Sequence, residues 1–165
     1  MKTLFVFVFL LATLLNMVAL QMLPDRVATH FGKDGRPDGW MAKDQNFYIM
    51  QGLYLFLFLM FYFMPALIVK TPVRYVSLPN RDYWLSAENR EKTVEKIAGG
   101  MYVYGILLFL FFVAIGYLTT EANLNDPVRL DESKFGIALV LFLMLTIIWT
   151  VRFMLAFRLP EGTEY

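Results

Sequence analysis

The chain has 165 residues, 58% of them apolar and 18% charged, with a formal net charge of +1 at neutral pH. That length is roughly one domain, the near balance of charge argues against a nucleic-acid partner, and the absence of cysteine excludes disulfides, thiolate metal sites and a cysteine nucleophile. The apolar residues are clumped rather than dispersed, which moves the reading from a soluble core to a bilayer.

A hydrocarbon slab of about 30 Å needs about 20 apolar residues as helix, because each backbone N–H and C=O must be satisfied within its own segment. Four stretches meet that need: residues 3–20, interrupted by Asn16; 47–69, with Gln51 near the start and Pro65 near the end; 97–120; and 135–151. The last two carry no formal charge. Lys2 ahead of an apolar run also opens a secretory signal, but Met17-Val18-Ala19-Leu20-Gln21 lacks a small-x-small cleavage pattern, so an uncleaved signal anchor is expected.

The expected fold is an all-α integral membrane protein. It has four transmembrane helices, both ends in the cytoplasm, a short hairpin-like outer loop and a partly helical cytoplasmic loop. Its parts are a membrane domain at 1–69 containing the outer loop 21–46, a cytoplasmic connection at 70–96, a second transmembrane hairpin at 97–157 and a tail at 158–165. With the amino terminus inside, nine Lys and Arg lie on the cytoplasmic side and six outside (Arg26, Lys33, Arg36, Lys43, Arg129 and Lys134), which favours this orientation. Trp40, Phe47 and Tyr48 on one side, and Tyr75, Tyr83, Trp84 and Trp149 on the other, suit the two headgroup levels. Arg152 reads as an anchor reaching back to headgroups.

Residues 21–46 contain two Asp-Gly pairs, Asp34-Gly35 and Asp38-Gly39, and the run from Val27 to Phe31 alternates like a strand. Asp-Gly favours positive φ and tight turns, so a small hairpin with a turn at each pair is expected, Trp40 dipping into the interface. His30, the only histidine, makes with Asp34 and Asp38 a conceivable metal or proton-sensing cluster, but two aspartates and one imidazole fall short of the usual ligand sets. No metal or cofactor is expected. Asp38 is read as capping its own turn, and His30 as packing beside Trp40 or donating to a loop carbonyl.

The string Leu23-Pro24, Thr29-His30-Phe31, Gly35, Asp38-Gly39-Trp40 and Lys43 resembles the motif of a bacterial membrane domain of unknown function. That domain also forms the amino-terminal part of SdpI-type immunity proteins, which protect a producing cell from its own secreted toxin peptide. The resemblance covers the first two spans and their loop. It implies a bacterial inner-membrane location and a ligand site on the outer loop, at Pro24, His30, Phe31, Gly35, Asp38, Gly39 and Trp40. Beyond that region the chain departs from the SdpI pattern, with two further spans and a connection of different character.

In that connection Pro72 and Pro79 keep the first half out of helix, so it is expected to lie extended along the inner interface. Pro79-Asn80 signals a turn. Ser86 offers an N-cap for a helix starting near Ala87 and running on into the third span. The string Pro79-Asn80-Arg81-Asp82-Tyr83-Trp84 is read either as a cytoplasmic docking site or as an interfacial anchor with Arg81 near lipid phosphate. Gly99-Gly100 suggests a bend or a close helix contact.

Ionisable side chains at membrane depth are costly and usually mark transport or catalysis, and none lies mid-span here. Asn16, Gln51, Thr146, Tyr54, Tyr62, Tyr102 and Tyr104 suit interhelical hydrogen bonds, and the dense Phe and Leu faces read as lipid contact. No nucleotide, nucleophile-elbow or metalloprotease motif appears, so no catalytic residue is named and the chain is read as a non-enzyme. The expected function is binding or signalling through the outer loop, with toxin immunity its most concrete form and membrane lipid plus a peptide or membrane protein as partners. The alternative is an accessory subunit of a larger membrane complex.

Overall fold

The computed structural model describes residues 1–160; the final part of the expected tail, 161–165, lies outside the described residues. The elements run α1 (Lys2–Met22), β1 (Arg26–Phe31), β2 (Pro37–Ala42), α2 (Lys43–Lys70), a 3-10 turn (Val73–Tyr75), α3 (Arg81–Trp84), α4 (Arg90–Leu124) and α5 (Glu132–Leu155). The helices α1, α2, α4 and α5 are each long and apolar enough to cross a bilayer. The chain is therefore a multi-pass membrane protein. Each helix outruns its apolar stretch because backbone hydrogen bonding continues into polar flanks, α2 starting at Lys43 and α4 at Arg90.

Three helices share one core. Phe5, Val8 and Ala12 of α1 meet Tyr54, Leu57 and Phe61 of α2 and Tyr102 and Phe109 of α4. The phenyl ring of Phe5 is fully buried and stands 5.5 Å from Phe58, 5.5 Å from Tyr102 and 5.8 Å from Phe109. Phe9 stacks on Phe58 at 4.2 Å. Such pairs add to plain area burial. The dense Phe faces were expected to meet lipid; on this side they meet one another, because three aromatic-rich stripes face inward together. Other apolar positions on the same helices, among them Phe7, Leu10, Leu14, Leu55 and Leu59, stay exposed.

Of the polar side chains expected to tie the helices, Asn16 and Gln51 do so, whereas the Thr146 hydroxyl is buried without a hydrogen-bond partner among the described residues. Asn16 Nδ2 donates to Gln51 Oε1 at 3.3 Å, and Gln51 Nε2 donates to Thr13 Oγ1 at 3.0 Å, bridging α1 and α2. Glycine allows the closest approach: a Cβ on Gly105 would lie 2.6 Å from a Phe5 ring carbon and 3.2 Å from Phe61. Helix α5 packs along α4 and has no buried residue. It is held by stacking of Phe142 on Phe111 at 4.3 Å and by Trp149 Nε1 donating to Gly100 O at 3.1 Å. A Cβ on Gly100 would meet Phe153 at 2.4 Å, so of the glycine pair Gly100 makes the close contact and Gly99 faces open space. Asp131 caps α5, its Oδ1 accepting from Lys134 N at 2.9 Å.

The 71–89 connection departs from expectation. It is a 3-10 turn and a one-turn helix α3, not an extended run. The N-cap of α4 is Asn89, not Ser86, whose carbonyl instead accepts from Asn89 N at 3.2 Å and Arg90 N at 3.0 Å. The turn that follows α3 uses up Ser86, so the long helix starts three residues later than its capping signal suggests.

Candidate functional site

The hairpin joins α1 to α2 at one end of the bundle. Its loop follows from local chemistry: Gly32 N donates to Arg36 O at 2.8 Å and Gly35 N to Gly32 O at 3.0 Å, while Gly35 takes φ 71°. This is a three-residue loop whose last residue is left-handed, the place for glycine. Asp34 stabilises it, Oδ1 accepting from Arg36 N at 3.3 Å and Oδ2 lying 3.3 Å from the Arg36 Nε.

The first Asp-Gly pair therefore makes the turn, and the second does not. Asp38 and Gly39 lie inside β2, and the register runs Ala28 opposite Trp40, His30 opposite Gly39 and Phe31 opposite Pro37. Two offsetting irregularities follow from these pairings: Thr29 is the extra residue on β1 and Asp38 the extra residue on β2. The requirement at Gly39 is room, not positive φ, because a Cβ there would lie 2.9 Å from the His30 Cβ. Asp38 accordingly caps no turn. Its Oδ1 contacts His30 Nδ1 across the strands, where a loop carbonyl or Trp40 was expected.

This unit is fastened at three places. At β1, Asn123 from the last turn of α4 reaches the strand backbone: Ala28 N donates to Asn123 Oδ1 at 2.7 Å, and Asn123 Nδ2 donates to Ala28 O at 2.9 Å and to Thr119 O at 2.9 Å. The amide thus stands in for a neighbouring strand. Ala28 is fully buried and Asn123 is 5% exposed, so water cannot replace these bonds. At the loop, Leu130 N donates to Gly35 O at 2.9 Å, and a Cβ on Gly35 would lie 2.4 Å from Leu130 O. At the base, the Lys43 ammonium reaches Leu23 O at 3.4 Å and Asp25 Oδ1 at 3.0 Å.

The candidate residues divide accordingly. Gly35, Gly39 and the motif Lys43 build the hairpin, and Phe31 is half-buried opposite Pro37. Pro24 is exposed at the hairpin base. The His30 and Asp38 side chains are 76% and 53% exposed, and Trp40 is 43% exposed. Packing does not require these three. They present an imidazole–carboxylate pair and an indole, which can accept and donate hydrogen bonds and stack on an apolar or cationic group. Asp34 turns to Arg36 and not toward His30, and among the described residues no three His, Asp or Glu side chains converge on a metal position. The residue that sequence reasoning missed is Asn123; its partner lies 95 positions away and no local pattern marks it.

The second candidate string lies at the opposite end of the bundle. Asn80 adopts φ 51° at the N-cap of α3, its Nδ2 donating to Phe157 O at 2.9 Å; Trp84 Nε1 donates to the same carbonyl at 2.8 Å. Both side chains are thus spent on the last residues after α5. Phe157 is fully buried, its ring 5.6 Å from that of Trp84. Tyr83 is half-buried with its ring against Trp84, and Pro79 is exposed. Arg81 and Asp82 are exposed and pair with each other at 3.4 Å. The structure brings the two strings to separate ends, joined through α4.

Residues 7–55 match the model of a domain of unknown function, DUF1648. The match spans most of α1, the whole hairpin and the first half of α2, the region carrying the motif. No curated protein and no solved structure matches the chain.

Proposed function

We propose that the protein is a binding or signalling protein of a bacterial cytoplasmic membrane, with the amino end of α1 and the carboxyl end of α5 inside, and that its outward hairpin recognises a ligand. Charge placement supports the orientation. The end carrying the 71–89 connection holds nine Lys and Arg against four Asp and Glu among residues 1–160, and the hairpin end six against eight.

One observation carries the recognition reading. The hairpin is fixed by buried or close contacts at Asn123, Leu130 and Lys43, yet His30, Asp38 and Trp40 face outward and are not consumed by that framework. A rigid platform with adaptable polar and aromatic groups is how binding sites limit the ordering cost of association. The ligand is a peptide or a membrane protein, and immunity against a toxin peptide of the SdpI type is the most concrete form. Sequestration on the hairpin suffices for protection. A signal inward would run through Asn123 and α4 to the 71–89 connection, as a population shift.

The test is co-purification from mild detergent of the native chain and of the double exchange Asp38→Ala with Trp40→Ala. Loss of a peptide or protein from the variant, with insertion and yield unchanged, is the expected result. An unchanged partner list would demote the hairpin to an anchor and favour an accessory subunit.

A further inference from the structure

At the end opposite the hairpin, a groove of roughly 440 Å³ lies between α4 and α5. Its floor is Val103 and Leu107 facing Leu145 and Ile148, and its mouth carries Lys96 and Arg152. Gly99 lines it beside open space, since a Cβ there would meet nothing within 4 Å. From Arg152 to Leu145 the helical rise is about 10 Å, and from Lys96 to Leu107 about 16 Å. The cavity therefore runs from a basic mouth, level with Trp149, down an apolar channel.

Among the described residues, no carboxylate pairs with the charge at the mouth. No Asp or Glu among the described residues lines the groove, and Glu91 and Glu95 border a different depression on α4. The Lys96 ammonium donates to Ala156 O at 2.8 Å and lies 4.1 Å above the Trp84 ring, contacts that orient it without neutralising it. Among the described residues the Arg152 guanidinium has neither a carboxylate within ion-pair distance nor a hydrogen-bond acceptor. Two cations at the mouth of an apolar groove, one of them oriented by Ala156 O and Trp84, match one chemistry, a phosphate-bearing head with an acyl chain.

We propose that this groove is a binding site for one anionic diacyl phospholipid, its phosphate held by Arg152 and Lys96 and one acyl chain lying between α4 and α5. The lipid fills the space beside a helix that packs along α4, and braces the Phe157 contact with the 71–89 connection.

The experiment uses the full chain in detergent, stripped of native lipid, with phosphatidylglycerol or phosphatidylcholine of the same acyl chains added back and retention read by native mass spectrometry. The native chain should retain one phosphatidylglycerol in preference to phosphatidylcholine. Arg152→Gln should weaken retention about fivefold, the loss of one basic group near a lipid headgroup. Gly99→Leu, which fills the groove, should abolish it, while Gly136→Leu, at a position equally open to a Cβ, should leave it intact. Equal retention by the two leucine variants overturns the site, as does indifference to the headgroup. Displacement by inorganic phosphate at equal concentration would also overturn it, showing a headgroup site that does not use the groove.

Discussion

Replacing Asn123 by Ala removes three hydrogen bonds and strands two backbone groups. Ala28 N–H and C=O lose their partners at 2.7 and 2.9 Å in a place where Ala28 has no exposed surface. An unsatisfied buried polar group costs about 1–3 kcal/mol, so the pair costs at least about 2 kcal/mol against the docked hairpin. At about 1.4 kcal/mol per tenfold, that lower bound raises the population of the undocked state about thirtyfold. Asn123→Asp should do no better, because it sets an acceptor against the Ala28 carbonyl and buries a charge. Amide hydrogen exchange of the protein in a lipid nanodisc reads this directly. Peptides covering 26–31 should exchange at least about thirtyfold faster in Asn123→Ala, with the middle of α1 and α2 unchanged. Exchange within threefold of the native chain would refute the claim that this amide fastens the hairpin.

Other consequences follow from the same contacts. Gly35→Ala meets a φ of 71° and the Leu130 carbonyl together, so it should lower the thermal midpoint by the equivalent of about 1–3 kcal/mol; Gly52→Ala, with open space around its Cβ, should not lower it. Equal midpoints would refute the loop contact. Gly105→Ala drives a methyl into Phe5 and Phe61 and should cost about 1–3 kcal/mol by overpacking, whereas Gly99→Ala on the same helix should be tolerated. Trp84→Phe removes the indole donor to Phe157 O and should cost about 1 kcal/mol, seen as faster exchange at 155–158 and not in the hairpin. Breaking the Asn16–Gln51 bond by leucine at both sites should show a coupling of about 0.6 kcal/mol in a double-mutant cycle, the usual scale inside membranes.

What could be read in the sequence was what is local. The four spans follow from runs of apolar residues, which need no partner to declare themselves. The hairpin follows from the alternation in Val27 to Phe31 and from Asp34-Gly35. The second Asp-Gly pair shows where local reading stops: the dipeptide is the same, but Gly39 answers to a side chain on the other strand and not to its own dihedral angle. Ser86 is a sound cap by composition that tertiary packing of α3 displaces onto Asn89. Asn80 and Trp84 read as docking or anchoring groups because their acceptor, Phe157 O, lies more than 70 residues away. Asn123 is the sharpest case, one of several polar residues in the last turns of α4, beside Thr119, Thr120 and Glu121, and it becomes meaningful only when β1 lies beside it. The exposed trio His30, Asp38 and Trp40 was named from the motif, and its separation from the hairpin's structural residues emerges from burial.

Recognition by the hairpin requires that the hairpin face outward, and the cysteine-free chain makes this directly measurable. Single cysteines placed at the exposed Lys33 in the loop and at the exposed Glu88 at the opposite end are treated with a membrane-impermeant maleimide in intact cells. The account predicts labelling of Lys33→Cys in intact cells and of Glu88→Cys only after permeabilisation. Labelling of Glu88→Cys alone in intact cells would put His30, Asp38 and Trp40 inside and contradict it.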